Sequence, residues 1–116
     1  MGRLSTHVLD TSRGKPGAGM AYALYRLDGD RRVKLAEGVT NEDGRAGKPL
    51  LEGEGFQAGR YQLVYQVAAY FRALGVELPD PPFLDEVTLS FGLGEDGHYH
   101  VPLLVSPFGY TTYRGS

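Results

Sequence analysis

Residues 60–67, RYQLVYQV, alternate polar and apolar side chains except at Val64, and this period of two most limits the folds open to the chain. In an extended strand Tyr61, Leu63, Tyr65 and Val67 face one way, while Arg60, Gln62 and Gln66 face the other. The same pattern recurs in EVTLSFGL, residues 86–93, where Val87, Leu89, Phe91 and Leu93 share a face opposite Glu86, Thr88 and Ser90. It recurs again in HYHVPLLVS, residues 98–106, where Tyr99, Val101, Leu103 and Val105 form the apolar face. His98, His100, Pro102, Leu104 and Ser106 take the other side. In LSTHVLDT, residues 4–11, Thr6 and Val8 oppose Ser5, His7 and Leu9. A helix would scatter each of these sets around its circumference; a strand gathers them into a face that can be buried.

Seventeen glycines and seven prolines break the chain into short segments at the spacing expected of an all-β sandwich. MAYALYRL, residues 20–27, and RVKLAEGVT, residues 32–40, flank Asp28-Gly29-Asp30-Arg31 and read as a hairpin. Asp43-Gly44 makes a tight turn just before Arg45, and a short strand includes or follows that arginine. Ser106-Pro107-Phe108-Gly109 is a turn from which YTTY, residues 110–113, returns as a last strand. Ala68–Gly75, alanine-rich and free of proline, is the best candidate for a helix. At 116 residues, one domain spanning 1–116 is expected.

Composition removes several classes of function. The net charge is −2, from 12 basic and 14 acidic residues, which offers a polyanion nothing to bind, so no nucleic-acid partner is expected. MGRLSTHVLD carries no long apolar run after Arg3, so neither a secretory leader nor a membrane span is expected, and the expected setting is cytoplasmic. There is no cysteine, hence no disulfide, thiolate nucleophile or cysteine-based zinc site. Chemistry must come from His, Arg, carboxylates, hydroxyls or a metal held by them.

His98 and His100 are alternate residues of one strand, so their rings project side by side about 7 Å apart, close enough to share a ligand, a metal or a proton. A solvated outer face with two incidental histidines is the plainer reading of that spacing. His7 also points away from its strand's apolar face, which speaks against three buried structural histidines. Three histidines can bind catalytic zinc with one position left for water, or work without metal as acid and base. Arg45 follows a tight turn able to hold a planar, five-donor guanidinium at a fixed point; alone it is equally a solvated charge. The tail Tyr113-Arg114-Gly115-Ser116 reads either as a frayed end or as a compact polar cap. GEGFQAG opens no helix after a strand and is not a phosphate loop.

Taken in order, LSTHVLDTSRGKPGAG, TNEDGR, AGRY, FLDEVTLSFG and HYHVPLLVSPFGYTTYRGS resemble the 5-hydroxyisourate hydrolases, the transthyretin-related enzymes of urate breakdown. The likeness runs over essentially the whole chain, and the YRGS ending is a very specific part of it. It implies a transthyretin-like (prealbumin-like) β-sandwich of two four-stranded sheets with one short helix. It also implies a homotetramer, built as a dimer of dimers, with active sites where dimers meet. By the same resemblance His7, Arg45 and His100 are catalytic, Tyr113 and Ser116 help bind substrate, and His98 lies beside them. No cofactor and no metal are implied.

The implied reaction is hydrolytic opening of 5-hydroxyisourate to 2-oxo-4-hydroxy-4-carboxy-5-ureidoimidazoline. Two rivals remain at this point: a zinc-dependent cyclic amide hydrolase using the three histidines, and a non-catalytic prealbumin-like ligand-binding or adhesion module. The hormone carrier transthyretin shares the fold but lacks the His, Arg, His and YRGS set, so the resemblance favours a hydrolase.

Overall fold

A computed structural model describes residues 2–115. Strands β1 (Arg3–Asp10), β2 (Lys15–Pro16), β3 (Ala21–Asp28), β4 (Arg31–Val39) and β5 (Leu51–Glu52) precede a single 3-10 turn at Gly53–Gly55. Strand β6 (Gly59–Gln66), helix α1 (Val67–Ala73), and strands β7 (Glu86–Leu93), β8 (His98–Ser106) and β9 (Gly109–Thr112) complete the chain. They form two sheets, one ordered β4-β3-β6-β7 and the other β2-β1-β8-β9 with β5 also paired to β1. The expected pair of four-stranded sheets is therefore four plus five, because β2 and β5, two residues each, occupy successive stretches of one edge of β1.

The core lies between the sheets and is built from the alternating faces. Leu4 and Val8 of β1, Leu24 of β3, Tyr61, Leu63 and Tyr65 of β6, Val87, Leu89 and Leu93 of β7, and Leu103 and Val105 of β8 are all buried. Thr6, polar on the same inward face, is satisfied: its hydroxyl donates to the Val101 carbonyl at 2.7 Å and shares a 2.6 Å hydrogen bond with the Tyr65 hydroxyl. Pro102 departs from the expected alternation, being buried on the outer face of its sheet. It stands opposite His7 in the β1–β8 register, and Thr112 donates to its carbonyl at 2.8 Å.

The hairpin and the final strand form as the turns require, β3 pairing β4 across Gly29 and β8 pairing β9 across Pro107 and Phe108. Strand β4 is a sheet edge with no buried residue, and Arg31, Arg32 and Lys34 along it discourage pairing with a further strand. Val67, expected to end β6, instead opens the helix, where Val67, Ala68, Tyr70 and Phe71 are buried.

At the far end of β1 the fully buried Asp10 carboxylate accepts from the Ser12 hydroxyl at 2.6 Å, Arg13 Nε at 2.9 Å and the Tyr70 hydroxyl at 2.8 Å. Burial alone would push this carboxyl up, but the hydrogen bonds from Ser12, Arg13 and Tyr70, with the Arg13 charge, hold it below its ordinary value. Its stabilising effect is thus present above the unfolded value of 3.8 and is lost as pH falls through the lower folded value. Asp10→Ala removes the acceptor of four donors, the Ser12 N–H among them, and is expected to cost about 2–4 kcal/mol in a urea or thermal melt; a loss below about 0.5 kcal/mol would show the network to be idle.

Candidate active site

Three short stretches of main chain cover the outer edge of β1 in succession. Leu51–Glu52 pairs with Arg3–Leu4, Arg45 bridges to His7, and Lys15–Pro16 pairs with Leu9–Asp10. Hydrogen bonds fasten each piece: Leu50 N–H to Leu4 O at 2.8 Å, Val8 N–H to Gly44 O at 2.8 Å, and Gly17 N–H to Val8 O at 2.8 Å. Arg45 is thereby held beside His7 by backbone rather than by its own flexible side chain.

The turn before Arg45 is closed on itself. Asn41 Oδ1 accepts from Asp43 N–H at 2.9 Å and Arg45 N–H at 3.1 Å, while Asn41 N–H donates to the Arg45 carbonyl at 2.8 Å. Gly44 has φ +75°, and a Cβ there would lie 2.3 Å from the Val8 carbonyl oxygen. The position requires glycine twice over, by conformation and by contact.

On the other side of β1, parallel pairing with β8 sets Arg3 opposite His98, Ser5 opposite His100 and His7 opposite Pro102. The His7 and His100 rings are diagonal neighbours with centroids 6.3 Å apart and planes tilted by 38°. Arg3, Ser5, Arg45, His98 and His100 line one open hollow of 260 Å³. A second hollow of 360 Å³ continues past Arg3, Ser5 and Arg45 to Asn41, Asp43 and Lys48.

Burial depresses the His7 pKa and the Arg45 charge depresses it further, against a hydrogen bond to the Asp43 backbone and the Asp43 charge, which raise it. His100 is lowered by burial, by Arg45 and by His7. Both rings are therefore neutral at neutral pH, the form that can take a proton. Because the folded values lie below the ordinary 6.5, the unfolded chain binds protons first as pH falls, so these groups reduce stability from about pH 6.5 downward. If they are the working bases, the acid limb of kcat/KM lies below pH 6.5. A limb centred above pH 7 would point to other groups.

The residues singled out in the sequence separate in space. His7, Arg45 and His100 come together, and His98, exposed, flanks them with Nδ1 3.4 Å from Arg3 Nη2. Tyr113 lines a different hollow, an apolar cleft of 420 Å³ between the β7 and β9 edges that also includes Phe91, Val101 and Tyr110. Ser116 lies outside the described residues. The tail before it is placed: Gly115 N–H donates to the His100 carbonyl at 2.7 Å, and Arg114 stacks 4.0 Å over the Tyr99 ring. A Cβ on Gly115 would come within 2.8 Å of His100 Cδ2, so the tail passes directly against that ring.

Among the described residues no group of three or more His, Cys, Asp or Glu is placed to hold a metal ion. Sequence reasoning missed Arg3, Ser5 and Asn41 as contributors. Asn41 two residues ahead of Asp-Gly is a turn signal that could have been read; Ser5 and Arg3 depend on pairing across 95 residues of chain.

The family model described as the HIUase/Transthyretin family matches residues 4–115. The chain belongs to the HIUase/Transthyretin family. The 5-hydroxyisourate hydrolase of Mesorhizobium japonicum is 57% identical over 115 residues, covering 99% of this chain and 93% of that one. The crystal structure of an (S)-allantoin synthase matches with a TM-score of 0.93 at 44% identity over 99% of this chain, which spans 44% of the synthase chain. The structure of Klebsiella pneumoniae 5-hydroxyisourate hydrolase matches with a TM-score of 0.83 at 39% identity, covering both chains in full. The transthyretin-like sandwich expected from the sequence is the fold observed.

Proposed function

We propose that this chain is a 5-hydroxyisourate hydrolase, and the observation that carries the proposal is the convergence of His7, His100 and Arg45 on one rim. Relatives named as that enzyme match the chain over nearly its whole length, which supports the same reading. The substrate is a small purine-derived ring whose carbonyl–nitrogen bond is to be cleaved.

In this mechanism a water held between the two imidazoles loses a proton to one of them as its oxygen bonds to the ring carbonyl carbon. The Arg45 guanidinium binds the substrate's oxygens and stabilises the negative charge that gathers on the carbonyl oxygen. The carbon–nitrogen bond then breaks, the departing nitrogen receives a proton from an imidazolium, and the carbon is left as a carboxylic acid that ionises. One water is consumed and the imidazoles return to their starting state, so His, His and Arg suffice for the steps. Neutral rings at neutral pH suit the first transfer.

Tyr113, Ser116 and His98 belong to the proposal as substrate-binding walls, Tyr113 and Ser116 contributed where subunits meet. A homotetramer with sites between its dimers, one domain over the whole chain and a cytoplasmic setting are parts of the same reading. The deciding measurement follows the decay of 5-hydroxyisourate freshly generated from urate, with and without the protein, against spontaneous decay. Equal decay in both would reject the function. Repeating the assay after exhaustive chelation tests the metal-free mechanism, which predicts an unchanged rate; loss restored by zinc would favour the zinc hydrolase instead.

A further inference from the structure

His100 Nδ1 lies 2.8 Å from the Ser5 hydroxyl, and the parallel β1–β8 register sets the two residues directly across from one another. Both belong to rigid strands, so the contact does not depend on a loop. An imidazole presents two different nitrogens, and the partner of one determines the proton and the direction of the other. With Nδ1 engaged by Ser5, the nitrogen free to meet water or substrate is Nε2.

The ring is gripped elsewhere as well. Gly115 packs against Cδ2, and its N–H holds the His100 carbonyl. His7 is met by a different element, the turn that carries Arg45, whose main chain bridges to it. The two imidazoles are thus neighboured by separate elements, and Ser5 is the side chain assigned to His100.

We propose that Ser5 is a positioning residue for catalysis: its hydroxyl fixes the ring angle of His100 and accepts from Nδ1–H, which leaves the Nε2 lone pair to serve the reaction. This rests on the hydrolase reading above. Serine suits the task because its hydroxyl hangs on one rotatable bond and fits within the spacing of paired strands. Alanine would remove the bond with little change of volume, and threonine, well suited to a strand, would keep it.

Ser5→Ala is expected to lower kcat by about 10–100-fold, with KM within about threefold of the parent, and Ser5→Thr to recover kcat to within about threefold. The resting protein supplies a readout that packing alone would not move. At pH 8, where His100 is neutral, its two ring nitrogens should show the separate ¹⁵N shifts of one tautomer. In Ser5→Ala they should move toward the averaged values of a mobile imidazole, and in Ser5→Thr they should return. A Ser5→Ala kcat within twofold of the parent, unchanged ¹⁵N shifts, or a Ser5→Thr variant as slow as Ser5→Ala would each overturn the proposal. If the parent protein itself fails to act on 5-hydroxyisourate, the function is what fails, and the ¹⁵N comparison still decides the role of Ser5.

Discussion

Replacing His100 with Asn is expected to slow the turnover of 5-hydroxyisourate by about 10²–10⁴-fold, the usual contribution of a positioned acid–base group. His7→Asn should fall in the same range. Asparagine keeps a polar side chain on a part-buried strand position but cannot exchange a proton near neutral pH. Arg45→Ala should cost about 10²–10³-fold, since in the proposed mechanism it removes the donor that stabilises the developing oxyanion. In the proposed mechanism the two imidazoles act as a unit, so the double variant His7→Asn/His100→Asn should be little worse than either single variant. The measurement is kcat/KM on fresh substrate, with a thermal melt for each variant to show that the sandwich persists. Near-parental rates in all three single variants, with folding intact, would sink the site assignment.

Gly44→Ala is the second large effect, and it acts without touching an ionisable group. The added methyl would meet the Val8 carbonyl oxygen at 2.3 Å, and the backbone would be held at φ +75°, where an L side chain is strained. Strain alone is worth about 1–2 kcal/mol, and the contact with main chain admits no escape by rotating a side chain. The turn must lift from β1, breaking the Val8 N–H to Gly44 O bond and carrying Arg45 away from His7. The expected outcome is a loss of stability of about 2 kcal/mol or more and a fall in kcat/KM similar to that of Arg45→Ala. Gly14→Ala is the informative control, since Gly14 also has positive φ, +66°, but has nothing near its Cβ position. If Gly44→Ala keeps parental activity, the turn does not position Arg45.

Much of the sandwich was legible because strand periodicity is a local property. Tyr61, Leu63 and Tyr65, and likewise Leu103 and Val105, declare their inward face by spacing alone, and all are buried. Pro102 shows the limit: alternation placed it outside, yet it is buried in the sheet, where β1 and β9 flank its strand. The short strand expected at or after Arg45 appears as one bridge at Arg45 and two paired residues at Leu51–Glu52. Such short pairings leave no periodic trace, because two residues cannot show a period of two. For the site, His7, Arg45 and His100 could be named from motifs, whereas Ser5 could not, since serine on an outer strand face is ordinary until its partner is known.

By itself the sequence determined the class of fold, the inward faces of the long strands, the turn that carries Arg45 and the outward direction of His7, His98 and His100. These follow from side-chain spacing and backbone preference within a few residues, which any single strand or turn obeys on its own. Tertiary structure decided which outward side chains meet. The parallel register of β1 with β8 sets Ser5 against His100 and brings His7 within 6.3 Å of it, and the edge of β1 receives Arg45. Tyr113, four residues beyond Gly109 in the same strand-and-tail segment, faces a different hollow. Register is a collective choice made by the whole buried face, since a slip of one residue would turn every core side chain of a strand toward solvent. The burial of Leu4, Val8, Leu103 and Val105 therefore sets the positions of His7 and His100 as firmly as any contact within the site.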